Sequence, residues 1–284
     1  MIKYEVKIIR ANLQKHEFIY LIPLSDLHWD EPESDHDAIK GYVDWVKEHE
    51  NAYIILNGDY VTAPTPTSAA SIYEMAEPGG KIEFPSLDQC RNELAELFKP
   101  VAKRILAADS GGHEFKHLFR VTGSDWVYSL MDKLGRTQVY ARDGGVLLIK
   151  TKALRNPTYA QRKGYIKDDD FFSIVFTHGW GSARTRGAKI RKLEYLAQGL
   201  DADVYIMSHD HTQNLARDNY LVPEWDGKWT VHRKLLVASG AFRGFAGYPF
   251  RSGYQPADIG TPRVRLGKRL GEDGTVRKDI HASI

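Results

Sequence analysis

GGHEFKH, residues 111–117, has two chemically different readings. His113, Glu114 and His117 spell H-E-x-x-H, the helical zinc motif of metalloproteases, in which i, i+4 spacing puts two imidazoles on one helix face. The same letters describe a Gly-Gly turn that delivers one His-Glu pair to the end of a strand. The neighbours favour the turn. Two glycines directly before His113 place it at a strand-to-helix junction. Arg120 and Gly123 stand where the extended protease motif requires Gly and His. No Glu occurs between Glu114 and Glu194, so a zinc protease would be left with an Asp such as Asp132 or Asp143 as its downstream ligand.

Working outward, the pattern around this stretch recurs. EFIYLIPL (17–24) runs into SDLH, AYIIL (52–56) into NGD, RILAA (104–108) into DSGGHE, FFSIVF (171–176) into THGW, and DVYIM (203–207) into SHDH. Each apolar run is short, rich in β-branched and aromatic residues and bounded by Gly, Asp or Ser, which predicts a buried strand. Between them, residues 34–50, 86–105, 124–135 and 186–199 carry Ser caps, helical apolar spacing or Gly stops, and predict helices; Pro100 predicts a break in the second. Strands alternating with helices predict an α/β architecture. VLLIK (146–150), WTVHRKLLVASG (229–240) and TPRVRL (261–266) read as further strands forming a second, more antiparallel sheet. A single domain over 1–267 is expected, with a surface insertion at 61–86 and a C-terminal hairpin or tail at 268–284, the hairpin turning at Asp273-Gly274.

Composition narrows the class. Lys plus Arg (39) nearly balances Asp plus Glu (37), so bulk charge points to no partner, and any nucleic-acid affinity must come from a local patch. One cysteine, Cys90, excludes an internal disulfide framework and a Cys-rich zinc site. The charged start shows no signal-peptide pattern, and no apolar run approaches the ~20 residues of a membrane span. A soluble, cytoplasmic protein without a membrane partner is expected.

Ligands of open α/β sheets gather beyond the carboxyl ends of strands. Here those ends carry Asp26 and His28 (D-x-H), Asp59, His178, and His209 and His211 (H-x-H). Mixed imidazole and carboxylate donors suit Mn, Fe, Zn or Ni better than Ca or Mg. Six such donors exceed what one catalytic zinc needs, whereas two divalent transition metals sharing a carboxylate use them all. A lone Asp after a strand is more often a cap and a lone His more often a packed residue; the weight lies in the ensemble.

DLH, NGDYV, GGHE, THGW and SHDH, in this order, resemble the motifs of the calcineurin-like metallophosphoesterases over roughly residues 18–245. The resemblance implies a four-layer α-β-β-α sandwich of two mixed sheets, with the metal site at the C-terminal ends of the strands. It implies that Asp26, His28 and His211 hold one metal, and that Asp59 bridges to a second held by His178 and His209. It further implies in-line attack on phosphorus by a bridging hydroxide, with His113 as the catalytic group and Glu114 orienting its imidazole. Two positions depart from the pattern. Gly112 stands where the family has an Asn ligand to the second metal, so weaker binding there is expected, with Asp109 or Ser110 as candidate substitutes. Ser208 stands where Gly usually precedes H-x-H.

HGWGSARTRGAKIRKLEY (178–195) sets Trp180, Arg184 and Arg186 close behind a candidate ligand, as phosphate or nucleic-acid contacts. Lys189 to Lys192 read equally well as a solvated helix face. GTPRVRL near the end adds a similarity to phage- and prophage-encoded members, which implies DNA or nucleotides as substrate. The leading expectation is therefore a metal-dependent phosphodiesterase or nuclease. A phosphomonoesterase and a binding module with weakened catalysis stand as alternatives.

Overall fold

The computed structural model describes residues 6–63, 85–154, 171–181, 183, 185–223, 225, 227–245, 255–272 and 276–284. Most of the expected insertion at 61–86 and the Asp273-Gly274 turn lie outside the described residues. The strands are β1 (Lys7–Leu13), β2 (Phe18–Leu24), β3 (Ala52–Asn57), β4 (Ile105–Asp109), β5 (Gly145–Thr151), β6 (Phe172–Thr177), β7 (Val204–Met207), β8 (Gln213–Pro223), β9 (Trp229–Ser239), β10 (Arg263–Leu270) and β11 (Val276–Ser283). The main helices are α1 (His36–Glu48), α2 (Leu87–Phe98), α3 (Trp126–Lys133) and α4 (Arg186–Gly199).

Two mixed sheets result, one of six strands in the order β1-β5-β6-β7-β9-β8 and one of five in the order β11-β10-β2-β3-β4. β2, β3 and β4 run parallel in the smaller sheet, and β6, β7 and β9 run parallel in the larger. Every residue of β3, β4 and β7 is buried, the mark of parallel strands covered on both faces. One core cluster joins Leu21, Ile54 and Ile105 of the smaller sheet to Leu147, Ile174 and Ile206 of the larger. It also takes in Ile39, Leu94 and Leu130 from α1, α2 and α3. A second cluster packs Leu193 and Ala197 of α4 against Val175, Tyr205 and Leu236 of the larger sheet. Helices thus cover the outer face of each sheet, giving the layers α-β-β-α.

The expected second sheet is not formed as such. VLLIK and WTVHRKLLVAS become β5 and β9 and join β6 and β7, whereas β10 pairs antiparallel with β2 in the other sheet. Pairing partners are set by long-range burial, which local alternation of residue types does not encode. β10 crosses residue 267 without a break and pairs with β11 over Arg263–Ser283, so the C-terminal hairpin extends the smaller sheet. α2 ends at Phe98 and continues as a 3-10 turn over Lys99–Arg104, with Pro100 at its start, where a missing N–H costs nothing.

Candidate metal centre

The parallel strands of both sheets end on one edge of the sandwich, and each end carries a candidate donor. Leu24 leads to Asp26 and His28, Asn57 to Asp59, Thr177 to His178, and Met207 to His209 and His211. Asp26, His28, Asp59, His209 and His211 all have positive φ, between 45° and 72°. Non-glycine residues in this left-handed region cost on the order of 1–3 kcal/mol each and gather at functional sites. The strand ends also bond to one another: the Asp26 and His28 amides donate to Gly58 O and Asp59 O at 3.0 and 3.2 Å.

Three overlapping sets of side chains could hold a metal: Asp26–His28–His211, Asp59–His178–His209, and His28–Asp59–His113, each with donor atoms within 4.8 Å of one another. The surroundings choose which atoms face inward. His178 Nδ1 lies 2.8 Å from Asn57 O, which leaves Nε2 facing Asp59 Oδ2 at 3.0 Å. His28 Nδ1 lies 2.8 Å from Thr62 Oγ1, which leaves Nε2 facing His211 Nε2 at 3.2 Å. His209 Nε2 bonds Gly181 O, which leaves Nδ1 inward. Asp26 Oδ1, His178 Nε2 and His209 Nδ1 are buried and make no hydrogen bond of good geometry, although the first two lie 3.1 Å from His211 Nε2 and 3.0 Å from Asp59 Oδ2 as close-set donor atoms. Burial of unpaired polar atoms is costly unless a cation coordinates them, and the donor set is one that transition metals favour. The residues fit divalent metal ions.

The charges of the centre are strongly linked: burial opposes protonation of His178, but the Asp59 and Asp26 carboxylates hold its imidazole well above the usual range until a cation takes the proton's place. Burial opposes ionisation of Asp59, but the His178 and His113 imidazoles hold its carboxyl well below the usual range. Burial and the neighbouring His211 and His113 push the His28 imidazole down, towards the neutral form a ligand needs.

His113 lies at the start of a π-helical stretch, Glu114–Phe119. Its Nδ1 is 3.0 Å from Thr62 O, and its Nε2 is 3.8 Å from Asp59 Oδ2, with the side chain partly exposed. Glu114 does not orient it, contrary to the expectation. The buried Glu114 carboxylate instead accepts from the backbone N–H groups of Asp59 (3.2 Å), Val61 (3.0 Å) and Gly111 (2.9 Å), tying the β3 and β4 loops together. Thr62 O takes the orienting role because it is the acceptor within reach of Nδ1. His117 has its ring centroid 5.5 Å from that of His113 and joins none of the three sets.

Gly112 presents an open position: a Cβ there would meet nothing nearer than Lys116 Nζ at 3.9 Å. Of the two candidate substitutes for the missing Asn, Asp109 does not enter the three sets. Asp109 is fully buried with both carboxylate oxygens unpartnered, and burial raises its carboxyl well above the usual range. The Ser110 amide donates to Arg142 O. Trp180 is exposed beside Gly181, and Arg186 opens α4 at the surface. Arg184 lies outside the described residues.

The lysines of α4 correct the solvated-face expectation. Lys189 is buried and Lys192 nearly so, and both bond Asp210, the residue between His209 and His211. Asn57 escaped notice, and Ser208 was noted only as a departure: Asn57 Nδ2 donates to Thr177 O at 3.0 Å and to Ser208 Oγ, and Ser208 Oγ is 2.8 Å from Ser239 Oγ. The hydroxyl at Ser208, where Gly is usual, thus links the two sheets. Among the described residues no helix is long and apolar enough to cross a membrane.

Comparison with known proteins places the geometry. Residues 22–213 match the family model of the calcineurin-like phosphoesterases. Similar solved structures include Vps29 from Entamoeba histolytica complexed with Zn2+ (11% identity, 93% of this chain and 99% of that chain covered, TM-score 0.38). Another is a conserved uncharacterized protein, a predicted phosphoesterase, from Streptococcus pneumoniae (14% identity, 94% and 98% covered, TM-score 0.36). A third is vacuolar protein sorting 29 from Cryptosporidium parvum (13% identity, 94% and 98% covered, TM-score 0.38). No curated protein sequence matches. The family match spans well over half of the chain and contains every strand end that carries a candidate donor, so this chain belongs to the calcineurin-like phosphoesterases and is a metal-dependent phosphoester hydrolase.

Proposed function

We propose that the chain is a phosphodiesterase acting on nucleic-acid or nucleotide diesters. Asp26, His28 and His211 would hold one metal, and Asp59, His178 and His209 a second. When bound, the metals supply Lewis-acid activation of water and of the phosphoryl oxygens. Asp26, His28, Asp59 and His178 are at most 3% exposed, whereas the His113 and His211 side chains are about a third exposed, so among the described residues these two mark an open side of the centre. His113 Nδ1–H donates to Thr62 O, which leaves Nε2 as the atom that carries a proton to the departing oxygen.

The observation carrying the diester over a monoester is the flanking of the centre on two sides by exposed cationic and aromatic side chains. On the His113 side the exposed Lys116 comes within 3.9 Å of the space a side chain at Gly112 would fill. On the His209 side the exposed Trp180 precedes Gly181, whose carbonyl bonds His209 Nε2, and the exposed Arg186 at the start of α4 is proposed as a further contact. A diester extends on both sides of the scissile phosphorus, and such flanks would bind the backbone and stack a base. Arg184 is proposed as a further phosphate contact.

The test compares bis-p-nitrophenyl phosphate, p-nitrophenyl phosphate and single-stranded DNA with Mn2+ supplied. Diester hydrolysis is expected to exceed monoester hydrolysis by at least about tenfold, each 1.4 kcal/mol of discrimination being one factor of ten. Asp59→Asn should lose activity and metal together. His113→Ala should lose on the order of 10²–10⁴ in kcat with metal content retained. Preference for the monoester would favour a phosphomonoesterase. Metal loss in His113→Ala would make His113 a ligand, as the His28–Asp59–His113 set allows.

A further inference from the structure

Two lysines one helical turn apart converge on a single buried residue of the H-x-H loop. Lys189 Nζ donates to Asp210 O at 2.7 Å and to Thr212 Oγ1, and the Thr212 hydroxyl itself donates to Asp210 O at 3.1 Å. Lys192 Nζ donates to both Asp210 carboxylate oxygens, at 2.7 and 2.8 Å. Lys189 is 6% exposed and Asp210 9%. The residues on either side, His209 and His211, hold positive φ at 72° and 50°, and each belongs to a different one of the candidate metal sets. Lys192 also lies beside Gly181, whose carbonyl fixes the His209 ring.

A buried Lys189 on the Asp210 carbonyl and a nearly buried Lys192 on its buried carboxylate are a poor way to stabilise a fold. Apolar side chains of similar volume at such positions are often neutral or stabilising. Their geometry makes sense as support for the loop backbone, which must keep two strained residues in register while their imidazoles point to different ions. We propose that Lys189 and Lys192 are positioning residues that act through Asp210, locking the loop so that His209 and His211 each present a ligand atom to its own metal. This rests on the ligand assignment proposed above.

Metal binding in the absence of substrate tests it. Mn2+ is titrated against a fluorescent chelator for the full chain and for Lys189→Met, Lys192→Met, Lys192→Arg and Asp210→Asn. Circular dichroism and thermal melting in EDTA check the fold. The expected result is Mn2+ affinity reduced about 10–100-fold at both sites in Lys189→Met, Lys192→Met and Asp210→Asn, the range of outer-shell losses. The EDTA melting temperature should change little, and Lys192→Arg, which keeps the ion pair, should stay near wild type. Because the defect lies in metal affinity, diester hydrolysis by Lys192→Met should recover towards the wild-type rate as Mn2+ is raised. Folded variants that bind Mn2+ as tightly as wild type would overturn the proposal, whatever their activity. If Lys189→Met does not fold, Lys192→Met and Asp210→Asn decide; failure of all three to fold would make the cluster purely structural and also overturn it. Wild-type protein that binds no Mn2+ would instead remove the ligand assignment itself.

Discussion

Gly111 and Gly112 are adjacent, yet a side chain meets opposite fates at the two positions. A Cβ at Gly111 would fall 2.0 Å from Asp59 Oδ1 and 2.1 Å from Asp59 N, while one at Gly112 meets only the flexible end of Lys116 at 3.9 Å. Gly111→Ala must therefore push Asp59 out of place. We expect destabilisation at or above the top of the ~1–3 kcal/mol typical of overpacking, together with loss of bound metal. Gly112→Asn should leave the melting temperature in EDTA within a few degrees of wild type and strengthen binding of the weaker metal by supplying an amide oxygen. Metal titration of the two variants checks both, and unaltered metal affinity in a folded Gly112→Asn would show that position 112 is not a coordination position. At Glu114 the expected effect is on stability. Glutamine keeps one acceptor oxygen but turns an NH2 group towards backbone N–H donors, so Glu114→Gln should cost about 1–3 kcal/mol in denaturant unfolding for the unsatisfied amide. At this scale the donors were legible because strand ends in open sheets announce themselves by an apolar run followed by Asp or His. The role of Glu114 was not, because its partners Asp59 and Val61 are main-chain groups more than fifty residues away. Lys189 was misread for the same reason, since a lysine that bonds a carbonyl looks in sequence like any solvated one.

Elements follow the same division between local and distant causes. Central strands such as β3 and β4 stood out as unbroken apolar runs because both their faces are buried. β1 and β8 did not. Both are edges of the larger sheet; β1 mixes buried, half-buried and exposed residues and β8 has only half-buried and exposed ones, so KIIRANL and QNLARDNYLVP carry no unbroken apolar run. The π-helical turn after Gly112 was equally hidden: it forms where Glu114 is drawn inward to the β3 loop, a tertiary demand. Helix starts were found to within a residue or two. Of the two candidate caps Ser34 and Asp35, Asp35 caps α1; at α3 the cap is displaced by one, to Asp125 from Ser124. Asp125 also accepts from the Tyr140 hydroxyl and pairs with Arg142 at 2.8 Å, anchoring α3 to the segment before β5. Asp125→Ala should thus lose a cap worth ~1 kcal/mol and about as much again in side-chain bonds. Ser124→Ala, at an exposed residue, should stay within about 0.5 kcal/mol. Paired thermal melts of the two variants distinguish them, and equal losses would move the cap back to Ser124.

For the whole molecule, the two sheets meet at an edge where the fold concentrates what it would otherwise avoid. Five non-glycine residues sit in left-handed backbone, Asp26 and Asp59 are buried, and inward-facing imidazole nitrogens make no hydrogen bond of good geometry. The large two-sided core stabilises the sandwich well enough to hold this edge in place, but the edge itself is preorganised for cations. Metal binding should then act as a stabilising ligand of the native state alone. At a free concentration one hundred times Kd, one site contributes ~2.7 kcal/mol. With roughly 2–4 °C per kcal/mol for chains approaching this size, the melting temperature should rise by about 5–10 °C on moving from EDTA to saturating Mn2+. Asp59 belongs to both the His178–His209 and the His28–His113 sets, so its loss should remove most of that rise. Asp59→Asn should also melt lower than wild type in EDTA, because the buried carboxylate faces His178 Nε2 at 3.0 Å and accepts from the His113 amide at 3.0 Å, and removing one partner of a buried pair costs stability. Melting curves of the two proteins with and without Mn2+ supply all four values. A wild-type melting temperature indifferent to Mn2+, Zn2+ and Fe2+ would mean that the edge does not bind metal in its folded form. An Asp59→Asn melt in EDTA as high as that of wild type would mean that the Asp59–His178 pair contributes no stability of its own.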